Sequence, residues 1–299
     1  MTNQQQPFLS ICIPAWNSSA FIRKSVSSVL AQTCKDWELL IVDDCSRDDT
    51  WEIMQEYAGL PNVRIFRNEK NLGQNENFNH CIPMMTGKWV MILASDDYLV
   101  PHMVETMKTE VTERPYAILW VQNHLNRGFG RPPHMVTVHE AVRIFDAREF
   151  AELLYLKGNI FGEISNFVAR RDALLKLQPP FRDGSQTVDL RCWIRLMAAN
   201  PEGKVIYWPE PLTHVLEHDA SISSTNNRTG ETYLDFFQLP VELLEVHWRR
   251  SVLLWQCLRM LRCALKFGNL LPAGKKALPF ATAWQLFKRA LSGDSGPDA

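Results

Sequence analysis

Apolar and polar positions alternate in a regular order over the first hundred residues of the chain. Short apolar runs rich in strand-forming residues are each followed by a segment whose apolar positions recur at helical spacing. This pattern predicts strands that alternate with helices from about residue 8 to residue 93. The predicted strands are Phe8–Pro14, Glu38–Val42, Val63–Phe66 and Lys88–Leu93, and the predicted helices between them are Ser18–Ala31, Asp48–Tyr57 and Gly73–Met85.

Strands that alternate with helices pair in parallel through right-handed crossovers. In such sheets ligands bind beyond the carboxyl ends of the strands, so the residues that follow each strand are candidates for chemistry. Those residues are Trp16–Asn17, Asp43–Asp44, Arg67–Asn68 and Ser95–Asp97. Most of them are polar or acidic, which a simple turn does not require.

The pattern weakens in the second half of the chain. The expected helices lie near Pro101–Val111, at Asp146–Leu156 and at Thr187–Ala199, and the chain is expected to be mostly helical from 232 to 291, with a break near Gly268–Gly274. The expected strands are Ala117–Gln122, Val205–Trp208 and Leu212–Leu216, and the expected loops are Asn126–Pro133 and the polar segment His218–Thr229. We therefore predict an α/β fold with a mostly parallel sheet flanked by helices and a C-terminal helical appendage.

The composition is that of a soluble globular protein. The chain has 299 residues, of which 46% are hydrophobic and 22% charged, and these values exclude a disordered chain, a collagen and a coiled coil. Seven cysteines without a CxxC pair indicate neither a disulfide framework nor a zinc knuckle. We expect a cytoplasmic setting, because neither a secretory signal nor an apolar run of about 18 residues is recognisable.

The near-zero net charge hides an asymmetry. Residues 246–299 carry nine basic and two acidic residues, a net charge of +7, so residues 1–245 carry −8 of the total of −1. Six Trp and Phe residues share the basic stretch, a mixture typical of the headgroup region of an anionic membrane. Two interpretations stay open: residues 246–291 lie on the inner face of the plasma membrane, or they pack on the body of the protein. Nucleic acid is not expected as a partner, because no recognisable motif for it is present.

The strongest local signal is the acidic pair Asp96-Asp97 directly after the predicted strand Lys88–Leu93. Two like charges at a strand end cost free energy unless a cation or hydrogen-bond donors compensate them. Carboxylate oxygens suit Mg²⁺ or Mn²⁺, which bind one or two carboxylates together with substrate phosphates. The alternative is an N-cap of the helix near Pro101–Val111.

Four longer motifs follow one another over the first 113 residues. They are FLSICIPAWN, SVSSVLAQT, WELLIVDDCSRDDT and NLGQNENFNHCIPMMTGKWVMILASDDYLVP. In order and spacing they resemble family 2 glycosyltransferases with the GT-A fold, of the type that builds bacterial surface polysaccharides and glycolipids. The resemblance implies a GT-A domain at residues 1–229, with a nucleotide-binding half at about 8–113 and an acceptor half at about 114–229. A helical basic and aromatic region at 230–299 would follow.

The resemblance implies a nucleotide-sugar site at the strand ends. Pro14, Trp16 and Asn17 of the first motif would belong to this site, and Trp16 would stack on the nucleotide base, unless it is an ordinary partly buried aromatic residue. Asp43 would accept a hydrogen bond from the imide nitrogen of a uracil. Asp44 is expected to brace or cap the turn before the next helix.

The same resemblance implies roles in the two following loops. Asn68 and Asn71 would lie beside the nucleotide, and Gly73 would serve either a close backbone approach or a positive φ angle. Asp96 would hold the ribose hydroxyls. Asp97 would bind the metal ion that bridges the diphosphate.

A second group of candidates lies in the acceptor half. Asp189 precedes Trp-Ile-Arg-Leu at the spacing of the family's Glu-Asp pair, with Val188 in place of the Glu. The resemblance makes Asp189 the candidate general base, and the alternative is an N-cap of the helix Thr187–Ala199. His218, which stands before a Ser-x-Ser loop, would complete the metal shell or donate to the diphosphate.

The implied function is inverting, metal-dependent transfer of a sugar from a nucleoside-diphosphate donor, with UDP as the expected nucleotide. The acceptor would be a hydroxyl of a glycan or lipid-linked glycan, and the cofactor Mn²⁺ or Mg²⁺. Two alternatives are a catalytically silent glycosyltransferase-like scaffold at a membrane and a sugar nucleotidyltransferase. A nucleotidyltransferase is expected to carry a Gly-rich phosphate loop after the first strand, whereas the segment there in this chain, PAWNSS, has no glycine.

Overall fold

The computed structural model describes residues 6–128, 134–135, 141–157, 162–182, 187–217, 248–267 and 277–292, and the single residues 238, 240, 243 and 246. The strands are β1 Leu9–Ala15, β2 Trp37–Asp43, β3 Val63–Arg67, β4 Trp89–Ile92, β5 Tyr98–Leu99, β6 Ala117–Gly128, β7 His134–Met135, β8 Arg143–Asp146, β9 Phe167–Arg170 and β10 Lys204–Glu217. The helices are α1 Ile22–Leu30, α2 Thr50–Gln55, α3 Gln74–Met84, α4 Met103–Thr112, α5 Ala147–Lys157, α6 Arg171–Leu174, α7 Val188–Ala198, α8 Arg250–Phe267 and α9 Leu278–Ser292, with a short 3-10 helix at Ile164–Asn166.

The strands form one sheet in the order β3-β2-β1-β4-β9-β6-β10-β5, with β7 paired to β6 and β8 to β10. β1 pairs in parallel with β2 and β4, and β2 pairs in parallel with β3, so their carboxyl ends share one edge of the sheet. β6 and β10 run in the same direction as these four strands, and the short strands β5, β7, β8 and β9 run in the opposite direction. The predicted α/β fold with a mostly parallel sheet is confirmed.

The central strands are apolar because both faces of the sheet are covered. All seven residues of β2 are buried, as expected for a parallel strand that is covered on both faces. Helix α1 buries Ile22, Val26 and Val29, which recur at intervals of four and three residues along one helical face. This packing fixes the strands, and therefore the loops that follow them.

Strands β6 and β10 are longer than the sequence predicted. β6 continues through residues 126–128, which were expected to be loop, and β10 is one strand where two were expected. The two pair in parallel, with register shifts on either side of Pro211. Proline interrupts the apolar pattern and removes a hydrogen-bond donor, but the partner strand continues the ladder beyond it. Periodicity within one segment could not reveal that partner.

The chain forms two compact units. The first contains Met1–Asp146, Ile160–Phe181 and Glu202–Glu217, and therefore the sheet. The second contains Ala147–Asn159, Arg182–Pro201 and His218–Ala299, and therefore α5, α7, α8 and α9. The predicted domain boundary at 229–230 and the predicted helix break near 268–274 lie outside the described residues.

In the second unit, α5 packs against the residues that precede α8. Tyr155 of α5 stacks on Trp248, with ring centroids 4.0 Å apart, and its hydroxyl donates to the Pro240 carbonyl. Glu152, which is buried, pairs with Arg249 at 2.7 Å. In the part of the chain that the structure describes, no helix is long and apolar enough to cross a membrane.

Candidate active site

The loops that follow β1, β2, β3 and β4 form what we call the strand-end site, and hydrogen bonds join these loops. The hydroxyls of Ser18 after β1 and Ser95 after β4 are 2.7 Å apart. The backbone N–H of Asn17 donates to the Ser46 hydroxyl at 2.9 Å. The side-chain oxygen of Asn17 accepts from the Arg47 N–H, also at 2.9 Å. The polar residues that follow three separate strands therefore hold one another in place.

Trp16 is the exposed aromatic residue of the strand-end site. It follows the last residue of β1, and 54% of its surface is exposed. Pro14, which is half-buried, lies opposite Val42 of β2. Asn17 turns the chain with a φ of 50°, a left-handed conformation that asparagine tolerates better than most residues. The indole ring is therefore available to stack on a ligand.

Asp43 ends β2 with its carboxylate fully buried. The Ser46 N–H donates to it at 3.2 Å, and the Arg67 guanidinium lies 3.1 Å from its second oxygen. Arg67 also donates to the Ser46 carbonyl at 3.1 Å and lies over the Trp51 ring, 5.4 Å from its centroid. Ser46 and Arg67 are the contacts of the Asp43 carboxylate in this structure, and its predicted hydrogen bond with a base stays a prediction.

Asp44 is buried and fixes the loop between β3 and α3. Its carboxylate accepts from the N–H groups of Leu72 at 2.8 Å and Gly73 at 3.0 Å, and from the side-chain amide of Asn68 at 2.8 Å. The same Asn68 amide donates to Asn77 of α3 at 3.0 Å. Asn68 is itself buried, so in this structure it ties the loop to α3.

The prediction that Asp44 braces or caps the turn before α2 is wrong, because Asp48 supplies those contacts. The Asp48 carboxylate accepts from the Thr50 N–H at 3.1 Å at the start of α2. Its other oxygen accepts from the Ser19 N–H at 3.1 Å, which links this turn to the chain before α1. The two acidic residues therefore hold different loops.

Gly73 directly precedes α3 with a φ of 80° and a ψ of 163°. This region of backbone conformation is essentially restricted to glycine. A Cβ atom at Gly73 would meet no described atom within 4 Å, so the backbone conformation alone is sufficient reason for a glycine here. Asn71, also in this loop, accepts from the Gly73 N–H at 2.9 Å.

Asp97 is buried, with 3% of its surface exposed, next to the half-buried Asp96. One carboxylate oxygen accepts from the Leu216 N–H at 3.0 Å, and Ser165 supplies a side-chain hydrogen bond. Burial raises the pKa of Asp97 well above its ordinary value and the charge of Asp96 adds to this, whereas these two hydrogen bonds act in the opposite direction. Neither acidic residue caps α4, whose N-cap position is occupied by His102.

Ser165 is a site residue that the sequence did not reveal. Its hydroxyl accepts from the Ala94 N–H at 3.0 Å and reaches the Asp97 carboxylate, so it contacts both ends of the turn after β4. Behind it, the Thr213 hydroxyl donates to the Ser165 carbonyl at 3.3 Å and accepts from the Gln122 side chain. These buried polar groups come from three distant segments, so no local motif signals them.

The donor set at the end of β4 fits a divalent cation. A buried carboxylate beside a second carboxylate is in an environment that a cation stabilises, and Mg²⁺ binds through one or two carboxylates plus substrate phosphates. Among the described residues, no group of three or more His, Cys, Asp or Glu side chains forms a metal cage. His218, the second predicted ligand, lies outside the described residues.

Asp189 lies in the second compact unit, in the first turn of α7. The N-cap residue of α7 is Thr187, so Asp189 does not occupy the N-cap position. Its half-buried carboxylate accepts from the Leu190 N–H at 2.7 Å. The assignment of Asp189 as general base stays a prediction.

Comparison with known proteins identifies the class to which this fold and its acidic strand-end site belong. A sequence model described as "Glycosyl transferase family 2" matches residues 10–177, which is more than half of the chain. The chain therefore belongs to glycosyl transferase family 2, and it is a transferase.

Named relatives and solved structures agree with this assignment. The chain is 29% identical over 199 residues to the "Putative teichuronic acid biosynthesis glycosyltransferase TuaG" of Bacillus subtilis, covering 66% of this chain and 74% of that protein. It is similar in fold to S. aureus TarS 1-349 in complex with UDP-GlcNAc, with a TM-score of 0.70, 16% identity, and coverage of 94% of this chain and 81% of that one. It is also similar in fold to the mannosyltransferase PcManGT from Pyrobaculum calidifontis in complex with GDP-Man and Mn²⁺, with a TM-score of 0.61 and 13% identity. That match covers 98% of this chain and 78% of the mannosyltransferase chain.

Proposed function

We propose that the protein transfers a sugar, with inversion at the anomeric carbon, from a UDP-sugar to a hydroxyl of a glycan or lipid-linked glycan in the synthesis of a cell-surface polysaccharide. The observation that carries the proposal is that Trp16, Asp43 and the Asp96-Asp97 pair lie at or just beyond the carboxyl ends of the adjacent parallel strands β1, β2 and β4. The name of TuaG refers to teichuronic acid, and TarS has been solved with UDP-GlcNAc and with UDP. These relatives favour a polysaccharide product and a uridine nucleotide.

The donor would bind across the carboxyl ends of β1, β2 and β4. Trp16 would stack on the base, because it offers a flat exposed ring there. The loop from Asn68 to Gly73 would flank the nucleotide, held in place by Asp44. Asp96 would accept hydrogen bonds from the ribose hydroxyls.

Asp97, together with His218, would hold Mn²⁺ or Mg²⁺ beside the diphosphate. When bound, the cation supplies positive charge that neutralises the departing diphosphate. Ser165 and the Leu216 N–H keep the Asp97 carboxylate in one orientation. This pre-organisation would reduce the entropic cost of assembling the site.

Asp189 would remove the proton of the acceptor hydroxyl as the sugar is transferred. Inversion in a single displacement needs one base within hydrogen-bond reach of that hydroxyl and no covalent intermediate. The half-buried position of Asp189 at the start of α7 leaves its carboxylate partly accessible. We place the reaction in the cytoplasm, on the inner face of the plasma membrane, where a lipid-linked acceptor would be presented.

The test is nucleotide release from a panel of sugar nucleotides, with Mn²⁺, with Mg²⁺ and with EDTA. We expect release from one UDP-sugar that EDTA and Asp97→Ala abolish, while Glu113→Ala, a change at an exposed carboxylate, retains it. Asp189→Asn should bind the donor normally and lose transfer to an acceptor. Folded protein that shows no cation-dependent nucleotide binding would overturn the proposal and favour a silent scaffold.

A further inference from the structure

Helices α8 and α9 expose an unusual number of large apolar side chains. Among the described residues, twelve large hydrophobic side chains are exposed, and seven of them belong to these two helices. The seven are Trp255, Leu258, Leu261, Phe280, Trp284, Phe287 and Leu291, with exposed fractions from 36% to 60%. Single exposed apolar residues are ordinary, but a cluster of them marks an interaction surface.

The cluster is continuous across the two helices. α8 and α9 pack together, and an apolar groove of about 500 Å³ lies between them. Leu254, Leu258 and Leu261 line it from α8, and Phe280, Trp284 and Phe287 line it from α9. The Trp284 and Phe287 rings stack with centroids 5.9 Å apart. We call this surface the α8–α9 face.

The charge of the same two helices has one sign. Residues 248–267 and 277–292 contain seven basic residues and no acidic residue. Arg250, Arg262 and Lys288 are exposed, and the Lys288 ammonium lies 5.9 Å from the centroid of the Trp284 ring. Arg249, which directly precedes α8, pairs with the carboxylate of Glu152 in the second unit.

We infer that the α8–α9 face docks on an anionic lipid bilayer, with its aromatic and leucine side chains in the interfacial layer and its basic side chains against the headgroup phosphates. Amphipathic helices bind this way through buried apolar area plus attraction to anionic lipid. A second copy of the chain fits less well, because pairing two such faces would bring like charges together. Nucleic acid would match the charge but not the apolar groove.

The inference rests on the proposed function only for its biological setting, because lipid binding can be measured without any sugar transfer. The experiment is co-sedimentation of the full chain with vesicles of phosphatidylglycerol and phosphatidylcholine, and with vesicles of phosphatidylcholine alone. We expect binding to the anionic vesicles. Leu258→Glu and Trp284→Glu should each weaken it by about tenfold or more, because each removes apolar area and adds a negative charge.

The control is Leu60→Glu, which introduces the same change at an exposed leucine of the first unit. It should leave vesicle binding unchanged. Nucleotide binding by all three variants reports whether the strand-end site is intact, so a failure of the proposed function would be seen separately. Quenching of wild-type tryptophan fluorescence by acyl-chain-brominated lipid tests insertion without any substitution.

Several outcomes would overturn the inference. One is wild-type protein that stays in the supernatant with anionic vesicles and shows no quenching. Another is a dimer by light scattering that Trp284→Glu dissociates, which would assign the face to a second copy. Equal loss of vesicle binding in Leu60→Glu would also overturn it, because the α8–α9 face would then not be the specific contact.

Discussion

Individual residues of the strand-end site are held by hydrogen bonds from several directions. Asp97 accepts from the Leu216 N–H, 119 positions away in the chain, and from Ser165. Asp44 accepts from two backbone N–H groups and one side-chain amide. A buried carboxylate that loses such a donor is left partly unsatisfied, so these positions are sensitive to small substitutions.

The Ser165→Ala variant tests whether this positioning matters. Loss of a hydrogen bond to a charged group should weaken cation-dependent UDP binding by about ten- to a hundredfold. Titration calorimetry with UDP, with and without Mn²⁺, measures it. The control is Ser25→Ala, which removes a buried hydroxyl that has no hydrogen-bond partner among the described atoms. Equal effects of the two variants on UDP binding would contradict the assigned role of Ser165.

Gly73→Ala tests the backbone before α3. Because alanine avoids the φ of 80° and ψ of 163° found there, the free energy of unfolding should fall by about 1–3 kcal/mol. The loop that flanks the nucleotide should also shift, and UDP binding should weaken. Gly59→Ala is the matched control. Gly59 also has a positive φ, of 81°, and a Cβ atom there would meet no described atom within 4 Å, but it lies outside the strand-end site. It should lose stability on urea unfolding and keep its UDP affinity.

At the scale of elements, the amino ends of the parallel strands are joined by a polar cluster around the buried Glu38, at the end of the sheet opposite the strand-end site. Glu38 at the start of β2 accepts from the Ser10 hydroxyl at 2.5 Å, from the Thr86 N–H at 2.6 Å and from the Arg64 guanidinium at 2.9 Å. The cluster therefore connects β1, β2, β3 and the segment before β4. A single carboxylate aligns one end of the sheet.

The pH dependence of stability tests this cluster. Burial alone raises the pKa of Glu38, but the hydrogen bonds from Ser10 and Thr86 and the charge of Arg64 outweigh it, and the pKa lies below its ordinary value. The stabilisation is then fully present above the unfolded pKa of about 4.3 and is lost as the pH falls through the lower folded pKa.

Glu38→Gln should therefore lower the free energy of unfolding at pH 7 by about 1–3 kcal/mol. The difference from wild type should shrink progressively below about pH 4.3. Urea unfolding at several pH values measures it, with Glu69→Gln at an exposed position as the control. If the difference in free energy of unfolding between the variant and wild type stayed constant over this pH range, the charge of Glu38 would contribute nothing to stability.

For the whole molecule, the decisive property is the uneven distribution of charge. The net charge of −1 is the sum of −8 for residues 1–245 and +7 for residues 246–299. The basic part carries the α8–α9 face, whereas the strand-end site lies in the acidic part. Lipid binding and nucleotide binding should therefore respond differently to ionic strength.

Raising NaCl from 0.1 M to 1 M shortens the Debye length from about 10 Å to about 3 Å. Vesicle binding should fall steeply over this range, because attraction between exposed charges and lipid headgroups is screened. Retention of UDP by the strand-end site should change less, since three of its acidic residues, Asp43, Asp44 and Asp97, are buried. Vesicle co-sedimentation and UDP titration at matched salt concentrations compare the two, and a salt-independent vesicle interaction would contradict the electrostatic part of the inference.

The sequence by itself determined the central strands, the helices between them and the family, because these depend on local periodicity and on motifs within the first 113 residues. It also located Trp16, Asp43, Asp96 and Asp97 at the strand ends, since parallel pairing brings those ends to one edge. Only the tertiary structure decided that Asp44 holds the β3–α3 loop, that Ser165 and Leu216 reach Asp97, and that β6 and β10 pair along their length. Those contacts join segments far apart in the chain, and which distant groups meet is set by packing rather than by any local pattern.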